Sequence, residues 1–324
     1  MIRAVINGVG GYLPEKIVTN QDLEKITETN HEWIVQRTGI EQRHVAADDQ
    51  STSDLAFEAA KKALANAKMD ASQIDCIIVA TTTPDMTFPA TAAMVQAKLG
   101  MKTGTIAFDV QAVCSGFLYA ITVANSFIIS GQAKNILVIG AEVMTRLLDW
   151  TDRTTCVLFG DGAGAIVLSA AEGKGDTSDR GILSTHLHSD GANQSLLHTT
   201  GGPGTSGISG KIFMQGREVF KHAVLRLAEV VDEALAANNM TKADITYLVP
   251  HQANKRIIEA TGEKLELPAE RVILTVAKHA NTSAASVPLA LAHGVENNLF
   301  KSGDILLLEA MGAGLTWGAA LIRW

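Results

Sequence analysis

The stretch Ala107-Phe-Asp-Val-Gln-Ala-Val-Cys-Ser-Gly-Phe117 changes its periodicity in the middle. Ala107, Phe108 and Val110 make a short apolar strand that ends at Gln111-Ala112. From Phe117 onward, Leu118, Ile121, Val123 and Ala124 have the apolar density of a buried helix. Cys114 sits at the junction, followed by Ser115-Gly116, small residues that let a turn pass close to a ligand. A cysteine ahead of a helix N-terminus lies in a partial positive field that favours thiolate over thiol. The same stretch also admits a small buried hydrophobe. A base and an oxyanion site elsewhere in the chain would decide for a nucleophile.

On the N-terminal side, Ile74–Ala80 is a β-branched run predicted as a buried strand, and Ser53–Ala67 carries Leu55, Ala56, Ala59, Ala60 and Leu64 at helical spacing. Asn20–Thr27 reads as a short capped helix. Gly8-Val-Gly-Gly-Tyr-Leu13 is rejected as a dinucleotide loop, because Leu13 replaces the third glycine and Pro14 follows. Thr81–Ala90 is a loop broken by Pro84 and Pro89, with Phe88 at its tip. On the C-terminal side, Asn135–Ile139 is another buried strand, and an arginine-bearing excursion runs through Thr145–Arg153. Asp161-Gly162 carries a hairpin signal. The segment Ala171–Gly181 is the most linker-like, which divides the chain into halves 1–171 and 172–324.

The 324-residue chain is 47% hydrophobic and 19% charged, the balance of a well-buried α/β protein. Its net charge of −7 argues against nucleic acid as a partner and requires a local basic patch for any acidic one. Cys76, Cys114 and Cys156 are an odd set in a long chain, so a disulfide framework is not expected. No C-x-x-C or Cys/His cluster has zinc spacing, so no metal is expected. The N-terminus lacks the features of a signal peptide and no apolar run spans a bilayer, which points to a cytoplasmic protein.

The halves repeat each other. Ala63-Leu-Ala-Asn-Ala-Lys-Met69 and the strand after it match Ala234-Leu-Ala-Ala-Asn-Asn-Met240 and the strand Asp244–Pro250, an offset of 171 from Met69 to Met240. Gly162-Ala-Gly164 matches Gly312-Ala-Gly314 at an offset of only 150, which places about 21 extra residues in the first half near Trp150 and Arg153. Strand and helix alternate in both halves, so parallel-rich sheets covered by helices are expected, with a site where matching strand ends converge. His251 then lies at a strand end opposite Ala80, and Ala277–Pro288 is the counterpart of the Cys114 turn, with Asn281 beside it. His279 precedes that turn and ranks below His251. Cysteine, imidazole and amide therefore converge, and the last two could stabilise an oxyanion or enolate.

These residues closely resemble the beta-ketoacyl-acyl-carrier-protein synthase III family, which has the thiolase fold. The likeness rests on Ala-Val-Cys114-Ser-Gly-Phe, Pro-His251-Gln-Ala-Asn-Lys-Arg and Asn281-Thr-Ser-Ala-Ala-Ser-Val-Pro. It also takes in Glu32-Trp-Ile-Val-Gln-Arg-Thr-Gly-Ile40, Phe159-Gly-Asp-Gly-Ala-Gly164 and Thr316-Trp-Gly-Ala-Ala-Leu321, so it spans the chain. The resemblance implies two duplicated α/β halves with mixed, mostly parallel sheets in five α-β-α-β-α layers. It implies that Cys114 carries an acyl group from acyl-CoA as a thioester. His251 and Asn281 would stabilise the enolate formed as malonyl-acyl-carrier protein loses CO2. No cofactor is implied. The backbone N–H groups of Cys114 and Ala313 would form the oxyanion hole, although many relatives have glycine at the Ala313 position.

The resemblance further implies that Trp33 and Arg153 sandwich the CoA adenine, with Arg37 near its phosphates and Thr29 alongside. Gly216 and Asn254 would line the pantetheine tunnel. Phe88 would enter the partner subunit's acyl pocket, making a homodimer. Arg217, Lys221 and the run Gln252, Ala253, Asn254, Lys255 and Arg256 would meet the acidic carrier protein.

Other readings stand beside it. A Cys-His-Asn hydrolase of the papain type shares the residue order, but not Ser115-Gly116 or the duplicated pattern. A degradative thiolase needs a second cysteine, which Gly312-Ala-Gly314 lacks. A hydroxymethylglutaryl-CoA synthase needs a catalytic glutamate, and Glu142 is not obviously placed for one. A specialised synthase using a longer or branched starter, or a non-catalytic CoA-binding homologue, would share the fold.

Overall fold

The structure is a computed structural model that describes residues 1–324. In chain order the first part comprises β1 (Ile2–Tyr12), β2 (Lys16–Thr19), α1 (Asn20–Leu23), α2 (His31–Thr38), β3 (Gln42–Val45) and α3 (Thr52–Ala67). It continues with β4 (Cys76–Ala80), α4 (Thr91–Lys98), β5 (Ile106–Val110), α5 (Gly116–Ile129), β6 (Asn135–Val143) and β7 (Asp161–Glu172). The second part comprises β8 (Gly181–Ser189), β9 (Leu197–Thr199), β10 (Ile212–Met214), α6 (Gly216–Ala237), β11 (Tyr247–Pro250) and α7 (Lys255–Lys264). It ends with α8 (Val276–His279), α9 (Ser286–Glu296), β12 (Ile305–Gly312) and β13 (Thr316–Arg323).

Two sheets carry the fold, ordered β1-β7-β6-β4-β5 and β11-β12-β13-β8. Their internal registers correspond. Cys76 faces Ile136 as Tyr247 faces Leu306, and Ile136 faces Leu168 as Leu306 faces Ile322. The fifth strand of the first sheet has only a single bridge, Leu248–Val272, as its counterpart in the second. The apolar helices α5 and α9 lie between the sheets in one shared core that includes Phe117, Ile121, Val287 and Leu291. Helix α3 covers the outer face of the first sheet and α6 that of the second, completing five layers.

The register corrects three expectations. The sheets are mixed, but only three of the seven pairings are parallel: β4–β5, β4–β6 and β11–β12. β6 returns as β7, and β12 as β13, without a helical crossover, so those pairs are antiparallel. Asp161-Gly162 is not a hairpin turn. It opens β7, and Asp161 is a buried acceptor for the N–H groups of Ala46 and Thr145 and the hydroxyl of Thr145. Gly164 faces Gly140 as Gly318 faces Ala310, so the structural match of Gly162-Ala-Gly164 is Thr316-Trp-Gly318. The extra residues of the first half lie at 144–160, where the second half has only 313–315.

Candidate active site

Cys114 lies in a single 3-10 turn, Val113–Ser115, between β5 and α5. Val113 holds φ +47, a conformation uncommon outside glycine. The Ser115 and Thr316 hydroxyls lie 2.8 Å apart, and both have the Ala112 carbonyl within hydrogen-bonding distance. The elbow is thereby tied to the turn that joins β12 to β13. Gly312, the last residue of β12, passes so close that a Cβ there would come 2.7 Å from the Cys114 nitrogen. Ala313 is not among the positive-φ residues, so its methyl group is compatible with the turn; Gly314 takes φ +134 instead.

The expected thiolate is corrected. Burial pushes the Cys114 thiol up to about 12, with the neighbouring Ser283 side chain opposing the rise and the Glu142 carboxyl adding to it. Desolvation outweighs the helix field because the sulfur is enclosed and α5 proper begins only at Gly116.

His251 follows β11 and is held by its neighbours. Its backbone N–H donates to the Glu309 carbonyl at 2.8 Å, and Nδ1 lies 2.6 Å from Ser286 Oγ at the start of α9. Burial lowers its pKa to about 3, so the ring is neutral. Asn281 is clamped across the halves: its N–H donates to Leu158 O at 2.9 Å, and its carbonyl accepts from Gly160 N at 3.1 Å. Its Oδ1 accepts from Ser283 N at 2.9 Å, which leaves the Nδ2 donors unused. The turn after it, Ser283–Ala285, repeats the Cys114 turn, with Ser283 at φ +50 where Val113 is at +47. By that match Ala284 is the counterpart of Cys114, and Asn281 that of Gln111.

Cys114, His251 and Asn281 line one cleft of about 730 Å³, together with Trp33, Arg37, Arg153, Gly216, Arg217, Lys221, Ala253, Asn254 and Arg256. His279 is not part of it, and burial lowers its pKa to about 4. Asn30 caps α2 by accepting from Trp33 N, which holds the backbone that carries the cleft-lining Trp33 ring. Arg37 and Arg153 stand 4.8 and 5.3 Å from the Trp33 centroid. A ring inserted between Trp33 and Arg153 needs about 7 Å, twice the ~3.5 Å contact distance. The two therefore touch here and must part to sandwich adenine. Asn254 caps α7 through Arg256 N and donates to Arg37 O at 3.0 Å, joining the two walls.

Five of the expected residues do not line the cleft: Ala313, whose turn passes behind Cys114, and Gln252, Thr29, Lys255 and Phe88. Gln252 is corrected as a carrier-protein contact: it is fully buried, donates to Pro250 O and Ile273 O, and accepts from Thr275 N and Val276 N. Its amide braces the loop behind His251. Thr29 does not line the cleft, and its hydroxyl is enclosed without a partner. Lys255 is exposed and pairs with Glu259 at 3.6 Å. Phe88 is 82% exposed on its loop. No helix is long and apolar enough to cross a membrane.

Ser283 and Ser286 escaped the sequence reading, and Glu142 was weighed there only as the glutamate of a hydroxymethylglutaryl-CoA synthase. Glu142 is the penultimate residue of β6, and burial raises its carboxyl to about 7 against hydrogen bonds from Thr83, Thr82, Ser283 and Thr81. The Asn281-x-Ser283 spacing of an Asx turn was the signal that could have found Ser283.

Paired halves, a cysteine elbow and an imidazole and amide from the opposite half define a thiolase-fold enzyme of the condensing class. The sequence profile of 3-oxoacyl-[acyl-carrier-protein (ACP)] synthase III matches residues 108–191, and that of its C-terminal part matches 235–324. The chain is 62% identical over 323 residues to beta-ketoacyl-[acyl-carrier-protein] synthase III of Rhodospirillum centenum, covering 100% of this chain and 99% of that one. The crystal structure of 3-oxoacyl-[acyl-carrier-protein] synthase III from Aquifex aeolicus superimposes with a TM-score of 0.93 at 47% identity, covering 99% and 100% of the two chains. The Pseudomonas aeruginosa counterpart gives 0.92 at 40%, covering 99% and 98%. The chain belongs to the beta-ketoacyl-[acyl-carrier-protein] synthase III family.

Proposed function

We propose that the protein starts fatty-acid chains by condensing acyl-CoA, with acetyl as the default starter, with malonyl-acyl-carrier protein. The observation that carries this is the meeting of Cys114, His251 and Asn281 in one cleft, with an Asn281 amide donor and one imidazole nitrogen uncommitted. Cys114 Sγ bonds to the acyl carbonyl carbon, the C–S bond to CoA breaks, and CoA leaves as its thiol with the Cys114 proton. The backbone N–H groups of Cys114 and Ala313 hold the oxyanion. Malonyl thioester then loses CO2, while His251 Nε2–H and Asn281 Nδ2–H bond the enolate oxygen. The carbanion attacks the acyl carbon, and the sulfur leaves as thiolate and regains a proton. Acyl-CoA is a substrate, and the reading requires no cofactor.

The first half, residues 1–171, supplies Cys114, and the second, 172–324, supplies His251 and Asn281. Trp33, Arg37 and Arg153 take the nucleotide end of CoA, and Gly216 and Asn254 flank its pantetheine. Arg217, Lys221 and Arg256 at the mouth meet an acidic carrier protein, and Phe88 completes the acyl pocket of a second copy in a cytoplasmic homodimer. Mass spectrometry of the Cys114 peptide after incubation with acetyl-CoA tests the core of this reading. An acetyl adduct is expected, and its absence would refute the acyl-enzyme. A panel of acyl-CoA primers then fixes the starter.

A further inference from the structure

Glu142 is a fully buried carboxyl with no basic partner beside the reacting residues. Its Oε1 accepts from Ser283 Oγ at 3.0 Å, and Oε2 accepts from Thr83 Oγ1 at 2.5 Å and Thr83 N at 3.1 Å. Thr82 N reaches both oxygens, at 3.2 and 3.1 Å, and Thr81 Oγ1 lies 3.3 Å from Oε2. Thr83 Oγ1 already accepts from Val143 N, and Thr81 Oγ1 from Thr83 N, so their protons are directed to the carboxyl group. Every neighbour is thus a donor, and the group that satisfies the shell is a carboxylate, which only accepts. A glutamine would turn its NH2 against these donors.

One member of the shell leads to the reaction. Ser283 is buried and held at φ +50, a left-handed conformation that is strained for a non-glycine residue. In that conformation its N–H points at Asn281 Oδ1. We propose that Glu142 is a positioning residue for Asn281: its carboxylate fastens Ser283 in the left-handed conformation that orients the Asn281 amide, keeping Nδ2 turned to the cleft. The first half thereby sets the geometry of an amide that belongs to the second. The proposal rests on the reading of Asn281 as a donor to the malonyl thioester.

A double-mutant cycle tests it, with two rates measured in each variant: acetylation of Cys114 by acetyl-CoA, and decarboxylation of malonyl-acyl-carrier protein by the acetylated enzyme. Glu142→Gln should lose decarboxylation at least about 10-fold, the effect of one well-placed hydrogen bond to a charged group, while acetylation is undiminished. In an Asn281→Ala background the same substitution should cost nothing further, because it acts only through Asn281. Multiplying losses, or equal losses in both rates, would overturn the positioning role and show general damage. If Asn281→Ala alone keeps full decarboxylation, the underlying reading of Asn281 falls instead. Ser283→Ala tests the other end of the contact should the Glu142 variant misfold, and it should show the same selective loss. Ser283→Gly takes φ +50 without strain and should recover part of that loss; no recovery would overturn the role given to the turn.

Discussion

His251 Nδ1 and Ser286 Oγ lie 2.6 Å apart, and this contact selects the ring nitrogen that can serve the cleft. Gln252 N approaches the same hydroxyl at 3.4 Å as a donor, so the Ser286 proton is free for Nδ1. A neutral ring whose Nδ1 accepts carries its proton on Nε2, the tautomer that donates to a thioester carbonyl.

Ser286→Ala should therefore slow decarboxylation by the acyl-enzyme about 5- to 10-fold, the net worth of roughly 1 kcal/mol of one hydrogen bond, and leave Cys114 acetylation near normal. Nitrogen NMR of the imidazole should show the loss of a single tautomer. An unchanged tautomer and rate would contradict the assignment.

Gly312→Ala should damage acylation. The added methyl would lie 2.7 Å from the Cys114 nitrogen and 3.1 Å from its Cβ, and it meets backbone that cannot rotate away. Displacing one oxyanion donor costs about 10²- to 10³-fold in rate. Overpacking itself costs about 1–3 kcal/mol of stability. Burst acetylation and urea unfolding, measured together, separate these effects. A normal burst would remove Cys114 N–H from the oxyanion hole.

Much of this site was legible in the sequence because duplication is a property of the linear chain. Matching Met69 with Met240 was enough to set His251 and the Asn281 turn opposite Cys114. What was not legible depends on which neighbour fills a given volume. Asp161-Gly162 has hairpin composition, but Asp161 is drawn into the core by donors from Ala46 and Thr145, far apart in sequence. Gln252 shares a motif with exposed Lys255 and Arg256, yet the loop before α8 supplies N–H groups that bury it. The thiol state of Cys114 likewise follows from enclosure, which periodicity does not report.

Trp33→Ala should raise KM for acetyl-CoA by about 10-fold, in line with a desolvated cation–π and stacking loss of 1–2 kcal/mol, with little change in the rate of malonyl decarboxylation by pre-acetylated enzyme. Arg153 is anchored by Glu28 O at 2.9 Å independently of the ring, so the loop should stay in place. An equal fall in both half-reactions would place Trp33 in the general packing rather than at the nucleotide end.

Arg256 is exposed at the cleft mouth, 5.8 Å from the Phe220 centroid, whereas Lys221 is partly neutralised by Glu218 at 2.8 Å. Arg256→Glu should therefore weaken use of malonyl-acyl-carrier protein several-fold at low salt and change use of acetyl-CoA much less. The difference should shrink as salt screens the surface. Equal losses with both substrates would argue against docking there.

Glu309 makes stability depend on pH in a direction opposite to that of most carboxylates. It is buried on β12, no hydrogen bond reaches either oxygen, and the nearby Thr261 hydroxyl is used by Ile257 O. Burial raises its carboxyl from 4.5 to about 8. Below about pH 4.5 it is neutral whether folded or unfolded. Between there and about pH 8 the unfolded chain loses the proton and the folded one keeps it, so stability from this group falls as pH rises, by up to about 1.4 kcal/mol per unit. Glu309→Gln removes the titration without much change in volume. Urea unfolding at intervals from pH 5 to 8 should show the variant gaining steadily on the parent. Parallel curves would mean that Glu309 is ionised in the folded protein and finds partners in solution.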